Sequence, residues 1–303
     1  MANGRQPEEI AGVAGVDCAG QQALVTGSTS GIGRETALAL GRLGANVFVH
    51  GRDRAAGATV VDELEAVGAN AQFIQADFTD VDAVRDLAAT VRSATRGLDL
   101  LVNNAGGLFR RGKRTPLGIE RTFHVNHLAP YLLTAELLDY LAPDARIVVT
   151  SSAAHRGVEL DLKRVRRTHS YSPLWAYSHS KLANVLFTTE LARRLDAAGH
   201  SITANSLHPG AIPGSGFSRF LPGPLPTVIQ GFTAVPGMPT VADGAAELLY
   251  VGLDPRTEGI SGRYFANQRE KTPSGPARDT DAANRLWRRS ATFLGINEPL
   301  AEF

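Results

Sequence analysis

TGSTSGIGRETALAL, residues 26–40, is the stretch from which the rest of the chain is read. It follows a short apolar run, QALVTG (22–27), and passes into an amphipathic segment, residues 31–43. A buried strand that turns through glycines into a helix forms an anion cradle. Gly27 permits a tight turn, Gly31 lets backbone approach a pyrophosphate, and Gly33 lets the helix pack closely on the sheet. The backbone N–H groups between them, through Ser30 and Ile32, point out of the helix start, and the helix dipole favours negative charge there. The spacing is G-x-x-x-G-x-G. Such a turn standing alone is weak evidence; its place after the first strand gives it weight.

Working outward, short apolar runs alternate with longer amphipathic ones. Strands are expected at 46–51, 71–77, 98–106, 145–152, 202–210 and 262–265. Helices are expected at 55–67, 81–95, 117–141, 174–198 and 241–252. Continuous apolar strands separated by helices specify an α/β fold with a doubly wound parallel seven-stranded sheet, helices on both faces and right-handed crossovers. One domain over 19–303 is expected, with a flexible N-terminal segment at 1–18. Two parts leave the pattern. Residues 211–239 mix Gly and Pro with Phe217, Phe220, Leu221, Ile229 and Phe232, which suits a substrate flap or a surface loop with its own cluster. Within 278–303, residues 280–294 read as an amphipathic helix that packs rather than reacts.

Composition narrows the classes. With 43% hydrophobic and 20% charged residues the chain is an ordinary globular protein, and a net charge of +1 gives no global field toward nucleic acid. The single cysteine, Cys18, excludes an intramolecular disulfide. Residues 1–20 lack the apolar core of a signal peptide, and no run is long enough to span a bilayer. A cytoplasmic protein is expected.

The strand ends carry the specific residues. The second strand ends His50-Gly51-Arg52-Asp53. An acid at that position holds ribose hydroxyls, whereas an arginine suits a 2′-phosphate. Gly51 stands at the acidic position and Arg52 follows, which favours NADP(H) over NAD(H). Asp53 is the counterargument, as a ribose acid if the strand ends later. Arg34 is either a second phosphate cation or a solvated helix residue. Asp77 and Phe78 close the third strand, where adenine would lie, although Asp77 also reads as a turn or cap acid. Asn103, Asn104, Ala105 and Gly106 close the fourth; asparagine bridges strands there, and the small residues leave room for a flat cofactor.

AYSHSKLAN, residues 176–184, places Tyr177 one helical turn before Lys181, on one face. A free phenol has a pKa of about 10, and a neighbouring ammonium is expected to lower it toward general acid–base use. Ser152 would hydrogen-bond the same substrate oxygen, and Asn126 would hold a water between Lys181 and solvent.

With TGSTSGIG (26–33), NNAG (103–106), Asn126, Ser152, Tyr177-x-x-x-Lys181 and His208-Pro209-Gly210 in view, the chain resembles the classical short-chain dehydrogenase/reductase family, a Rossmann-fold family. The likeness is clear over 20–210 and looser beyond. FHVNHLAPYLLT (123–134), VVTSSAAHRG (148–157) and DAANRLWRRS (281–290) look most like the retinol dehydrogenase and WW-domain oxidoreductase branch. The resemblance implies a catalytic tetrad of Asn126, Ser152, Tyr177 and Lys181, with Tyr177 as acid/base, Ser152 steadying the substrate oxygen, Lys181 also on the nicotinamide ribose and Asn126 completing a proton relay. It implies cofactor contacts at Pro209 and Gly210. The threonine the family often places after Pro-Gly is replaced by Ala211-Ile212-Pro213-Gly214, and the N-terminal membrane helix of many retinol-type members is absent.

The expected activity is hydride transfer between NADP(H) and a carbonyl/secondary-alcohol pair, on a partly hydrophobic small molecule. The alternatives are an NAD-dependent alcohol dehydrogenase and a non-catalytic NADP(H) sensor. His124, His127 and His155 lack the companions of a metal motif. RRGKR (110–114) and KRVRR (163–167) follow the fourth and fifth strands, so both loops should rim the active-site mouth, as a collar for an anionic substrate or as solvated loops. Family members often form homodimers through the two long helices, and the extra tail bears on that assembly.

Overall fold

A computed structural model describes residues 5–210, 212 and 239–301. Seven parallel strands form one sheet in the order β3-β2-β1-β4-β5-β6-β7. They are β1 (Gln22–Val25), β2 (Asn46–Gly51), β3 (Ala71–Gln75), β4 (Leu98–Asn103), β5 (Leu141–Thr150), β6 (Thr203–His208) and β7 (Tyr264–Ala266). Chain order reverses between β1 and β4, and the crevice at such a reversal is where ligands bind in open α/β sheets.

Helices cover both faces, as near-continuous apolar strands require. One layer holds α1 (Pro7–Ala11), α2 (Gly31–Arg42), α3 (Arg54–Ala66) and α8 (Val241–Leu253). Leu38, Leu40, Val60, Leu64, Leu248 and Leu249 form its core with Val25 and Val49 of the sheet. The other layer holds α4 (Val81–Ala94), α5 (Arg121–Phe123), α6 (Ala129–Leu137), α7 (Pro173–Ala197) and α9 (Thr280–Leu294). Leu87, Tyr131, Leu182, Leu186 and Trp287 centre that core.

Three expectations are corrected. The N-terminal segment 1–18 is not loose where it is described: α1 packs on α8, Val13 and Cys18 are buried, and Glu8 forks to Arg42 at 2.6 and 2.8 Å. Small apolar residues among the glycines supply the contact.

The helix expected at 117–141 is shorter and interrupted. Gly118 sits at φ 71°, and Glu120 caps the start by accepting from the N–H groups of Thr122 and Phe123 at 2.8 and 3.2 Å. A π turn over His124–Leu128 then joins α5 to α6.

Strand β5 begins at Leu141, ahead of the expected start. Leu141 pairs with Leu98, and the register then shifts around Asp144 at φ 62° before regular pairing resumes at Arg146. Pro143 and Asp144 read as a turn in sequence, and pairing with β4 overrides them. The expected flap at 211–239 lies outside the described residues, except for Ile212 and Pro239.

Helix α9 matches its expectation and closes the second core. Trp287 is 2% exposed, stacks on Phe187 at 5.8 Å and meets Tyr131 edge-on at 5.0 Å. Its Nε1–H donates to Pro299 O at 3.2 Å. Emptying such a site removes contacts that its neighbours do not refill. Trp287→Ala should therefore cost about 3–5 kcal/mol in urea unfolding; a loss under ~1 kcal/mol would mean that α9 is not part of the core.

Candidate active site

The carboxyl ends of β1 and β4 are joined through the Thr26 hydroxyl, which uses all of its bonding capacity. Thr26 Oγ1 donates to Val102 O at 3.1 Å and accepts from the N–H groups of Asn104 and Ala105 at 2.9 and 3.0 Å. One hydroxyl can do no more. Asn104 Nδ2 returns a bond to Thr26 O at 3.0 Å, bridging the strands as expected.

This brings the glycine turn hard against the end of β4. A Cβ on Gly27 would lie 2.9 Å from Ala105 Cα, and one on Gly33 would lie 2.5 Å from Gly27 O. Gly31, at φ 60°, faces open space instead. Ser30 offers no side-chain cap to α2, so its side chain takes none of the first-turn N–H groups. An open concavity with backbone donors at the start of a twelve-residue helix has the donor set for a pyrophosphate.

His50 is the brace that sequence reasoning missed. Its buried ring accepts from Gly27 N–H at Nδ1, 3.2 Å, and donates from Nε2 to Ala76 O, 3.2 Å. Burial lowers its pKa to about 4, so the ring stays neutral and keeps both bonds. Nothing in the sequence distinguishes it from a surface histidine at a strand end.

At the end of β2, a Cβ on Gly51 would meet Thr29 Cγ2 at 2.4 Å. Thr29 thus fills the place that a ribose acid would need. Asp53 is committed elsewhere, capping α3 through Ala56 N–H at 3.1 Å. Arg34 forks to Glu63 at 2.6 and 2.7 Å. Arg52 is exposed and 4.0 Å from Asp77. Asp77 also accepts from the Thr79 N–H and hydroxyl at 2.9 and 3.0 Å, as a turn acid does. Phe78 is buried, with its ring stacked on His50 at 4.5 Å.

The tetrad residues converge at the ends of β4 and β5. Lys181 Nζ lies 5.6 Å from the Tyr177 ring centroid and donates to Thr150 O at 2.9 Å. Asn184 Nδ2 donates to the same carbonyl at 3.1 Å. Ser152 faces Tyr177 closely enough to oppose the rise in the phenol's pKa. Gly106 must be small, since a Cβ there would lie 2.9 Å from Asn126 Oδ1 and 3.6 Å from Lys181 Nζ. Pro209 and Gly210 follow β6, and Gly210 turns at φ 99°.

Asn126 sits in the π turn, a helix irregularity that recurs at functional sites. Its amide exchanges two 2.9 Å bonds with Gly107, and Nδ2 donates again to Ser180 Oγ at 2.9 Å. Ser180 Oγ in turn donates to Tyr177 O at 2.7 Å. Both amide protons are therefore committed to bracing the loop after β4 and the first turns of α7.

For the protein alone, burial pushes the Tyr177 phenol up, opposed by Ser152. Burial also lowers Lys181, to about 8. A bound positive ring would act on the phenol in the opposite direction.

His124, His127 and His155 each meet a different partner: Thr115 Oγ1 at 2.7 Å, Ser290 Oγ at 2.9 Å and Ser152 O at 2.6 Å. The two basic loops are stitched into one rim. Glu120 N–H donates to Val165 O at 2.7 Å, and Tyr171 OH donates to Phe109 O at 2.7 Å. Arg164 lies over Trp175 at 3.9 Å, two residues before Tyr177.

A dinucleotide cradle beside a serine, tyrosine and lysine at one sheet edge defines an oxidoreductase acting on CH–OH/C=O groups. A family model described as short chain dehydrogenase matches residues 21–219, and the chain belongs to that family. Mouse (Mus musculus) polyprenol dehydrogenase is 36% identical over 284 residues, covering 91% of this chain and 84% of the relative. Mouse retinol dehydrogenase 14 is 36% identical over 292 residues, covering 91% and 86%. Among solved structures, a short chain dehydrogenase from Burkholderia cenocepacia J2315 in complex with NADP is 31% identical, with a TM-score of 0.64 over 86% of this chain and 98% of that one. Within the family, the motifs stand near the retinol dehydrogenase branch.

The lysine gives a pH signature with a definite sign. Its folded pKa lies below the unfolded value, so between about pH 8 and pH 10 the unfolded chain binds the extra proton. Stability of the wild type relative to Lys181→Met should rise with pH across that window in denaturant titrations. A flat difference would place the amine in water.

Proposed function

We propose that the protein is an NADP(H)-dependent oxidoreductase that interconverts a carbonyl and a secondary alcohol through Asn126, Ser152, Tyr177 and Lys181. The observation that carries this reading is the convergence of Ser152, Tyr177 and the buried Lys181 beside the glycine cradle, with Lys181 Nζ 5.6 Å from the Tyr177 ring centroid. When bound, the nicotinamide supplies or accepts the hydride.

Tyr177 holds its proton at neutral pH because burial raises its pKa, and it gives that proton to the substrate oxygen during reduction. Ser152 donates to the same oxygen as negative charge develops. Lys181, fixed at Thr150 O, orients on the ribose and re-supplies the proton. Asn126 holds the loop and helix between which that relay runs. A phenol with a raised pKa favours the reductive direction at neutral pH; the reverse reaction gains as pH climbs and the phenol ionises.

Support for NADP(H) over NAD(H) comes from the Thr29 methyl standing where a ribose acid would reach, from the capping role of Asp53, and from the exposed Arg52. A 2′-phosphate would take Arg52 from Asp77 by a charge-assisted bond. The relatives named for retinol and polyprenol support a partly hydrophobic alcohol or aldehyde substrate. Among the described residues no helix is long and apolar enough to cross a membrane, and we take the cytoplasm as the working compartment. For assembly, α9 lies along α7 and buries Tyr131 and Phe187, covering the long-helix face through which the family commonly dimerises. A monomer, or a dimer built on another face, follows.

The basic rim adds a substrate feature. Residues 110–114 and 163–167 bring Arg and Lys to one edge beside Trp175 and Tyr177, which favours a carbonyl compound that also carries an anionic group. Matched ketones decide this point. Turnover of 9-oxodecanoate should exceed that of 2-decanone at low salt, and the advantage should fade as ionic strength rises; equal rates would remove the rim from recognition.

Tyr177→Phe tests the activity itself. It should lower turnover at least ~100-fold, within the range contributed by general acid–base catalysis, while NADPH affinity changes little. Unchanged turnover would remove Tyr177 from the chemistry, and wild-type protein that binds NADPH but reduces no carbonyl would leave the sensor reading standing. Arg52→Ala should weaken NADPH binding by about 10-fold or more, the worth of a hydrogen bond to a charged group, and leave NADH unaffected. Tighter binding of NADH than NADPH by the wild type would overturn the cofactor assignment.

A further inference from the structure

His155 is fully buried, with both ring nitrogens used. Nδ1 lies 2.6 Å from Ser152 O, a carbonyl, so this nitrogen carries the proton and donates. Nε2 lies 3.1 Å from the Ser274 backbone N–H, so this nitrogen accepts. The two partners leave one neutral tautomer, Nδ1–H. Burial lowers the imidazole pKa, which keeps that tautomer uncharged. The Tyr264 ring meets the imidazole edge-on at 4.9 Å and prevents it from swinging. Next to it, Arg156 Nη2 donates to Thr272 O at 2.8 Å.

The imidazole therefore ties the main chain of Ser152 to residues 272–274, beyond the last strand. The Ser152 carbonyl also accepts from the His155 backbone N–H at 3.1 Å. Strand β5 ends at Thr150, and Ser152 stands in extended conformation at φ −161°, ψ 154°, before the 3₁₀ turn Ala153–Gly157. Its hydroxyl already accepts from Ala154 N–H at 3.2 Å and faces the Tyr177 phenol. The direction of that hydroxyl follows from the rotation of the Ser152 peptide, and the shortest hydrogen bond on that peptide comes from His155.

We propose that His155 is a positioning residue for the oxidoreductase reaction, fixing the Ser152 hydroxyl toward Tyr177 through the bond from its Nδ1–H to the Ser152 carbonyl, with the Ser274 N–H setting the tautomer that donates it. It does not touch the reacting atoms; it acts through Ser152. The proposal rests on the assignment of Ser152 as the group that steadies the substrate oxygen.

The two legs of the clamp can be cut separately. Asn places its amide nitrogen near the Nδ1 position and keeps the Ser152 leg; Gln reaches the Nε2 position and keeps the Ser274 leg. His155→Gln should lower kcat by about 10-fold through displacement of an oriented group, with KM and the NADPH dissociation constant within ~2-fold by the same reasoning, since only the serine moves. His155→Asn should hold kcat within ~3-fold. In a Ser152→Ala background, His155→Gln should add less than ~2-fold, because groups acting through one another are not additive. Rates are read as NADPH oxidation with 9-oxodecanoate and all-trans-retinal, and melting temperatures accompany every variant.

A purely structural histidine would give the reverse pattern: both variants losing stability and activity together, with full multiplication in the Ser152→Ala background. That result overturns the proposal, as does retention of kcat by His155→Gln. If Ser152→Ala itself keeps wild-type turnover, the serine assignment fails and the proposal with it. Independent of any substrate, nitrogen-15 spectra of the imidazole should show Nδ1 protonated and Nε2 bare. The opposite tautomer would sink the clamp.

Discussion

The site depends on how closely the ends of β1 and β4 approach. Thr26 sets that approach by spending its whole hydroxyl on β4: one proton to Val102 O and two lone pairs to the N–H groups of Asn104 and Ala105. The glycine turn is then pressed against Ala105, and only a residue without a Cβ fits at 27. Because β1 and β4 are also the strands at which chain order reverses, this contact fixes the floor of the crevice. His50 holds the other side of the turn through Gly27 N–H. The helix start of α2 is thereby aimed into the crevice.

A second set of constraints locates the reacting groups relative to that floor. The end of β5 supplies one carbonyl, Thr150 O, that receives Lys181 and Asn184 together. Ser151 Oγ donates to Lys181 O at 2.7 Å, so the strand end holds α7 by main chain as well as side chain. Asn126 reaches the same helix from the π turn between α5 and α6, through Ser180 to the Tyr177 carbonyl. The end of β5 and the π turn thus grip two turns of α7. Much of the binding capacity at this edge goes into holding the tyrosine and lysine still, which is what a preorganised acid requires.

Much of the fold could be read from the sequence, because strands buried on both faces must be apolar throughout and the helices between them amphipathic. β2 and α9 fall on their expected spans. The failures have local causes. At Leu141–Arg146 a Pro-Asp pair signals a turn, but partners on β4 draw the chain into the sheet. At 117–120 the periodicity runs on past a glycine that leaves the helical region. Asn126, Ser152, Tyr177 and Lys181 could be singled out because such residue types stand at fixed places on this fold, and the structure brings them to one sheet edge. Their supports could not: Thr26, His50, His155 and Ser180 act through backbone groups that no spacing rule links to them. His155 was weighed only as a metal ligand, for lack of any sign in the sequence that its partners are the main chain of Ser152 and Ser274.

The upward tyrosine shift belongs to the same economy of burial. A phenol and an ammonium placed one turn apart in water would stabilise each other's charged forms. Here Lys181 is 3% exposed, and burial disfavours charge on both groups. The pair therefore rests as a protonated phenol beside an amine with a lowered pKa, a state ready to deliver a proton rather than to take one. A positive ring bound alongside would favour the phenolate and disfavour the ammonium, moving the proton balance of both groups with the oxidation state of the nucleotide. The burial that makes the tyrosine a poor base by itself is thus what makes its proton affinity sensitive to a neighbouring charge, since in a low-dielectric wall that charge is little screened.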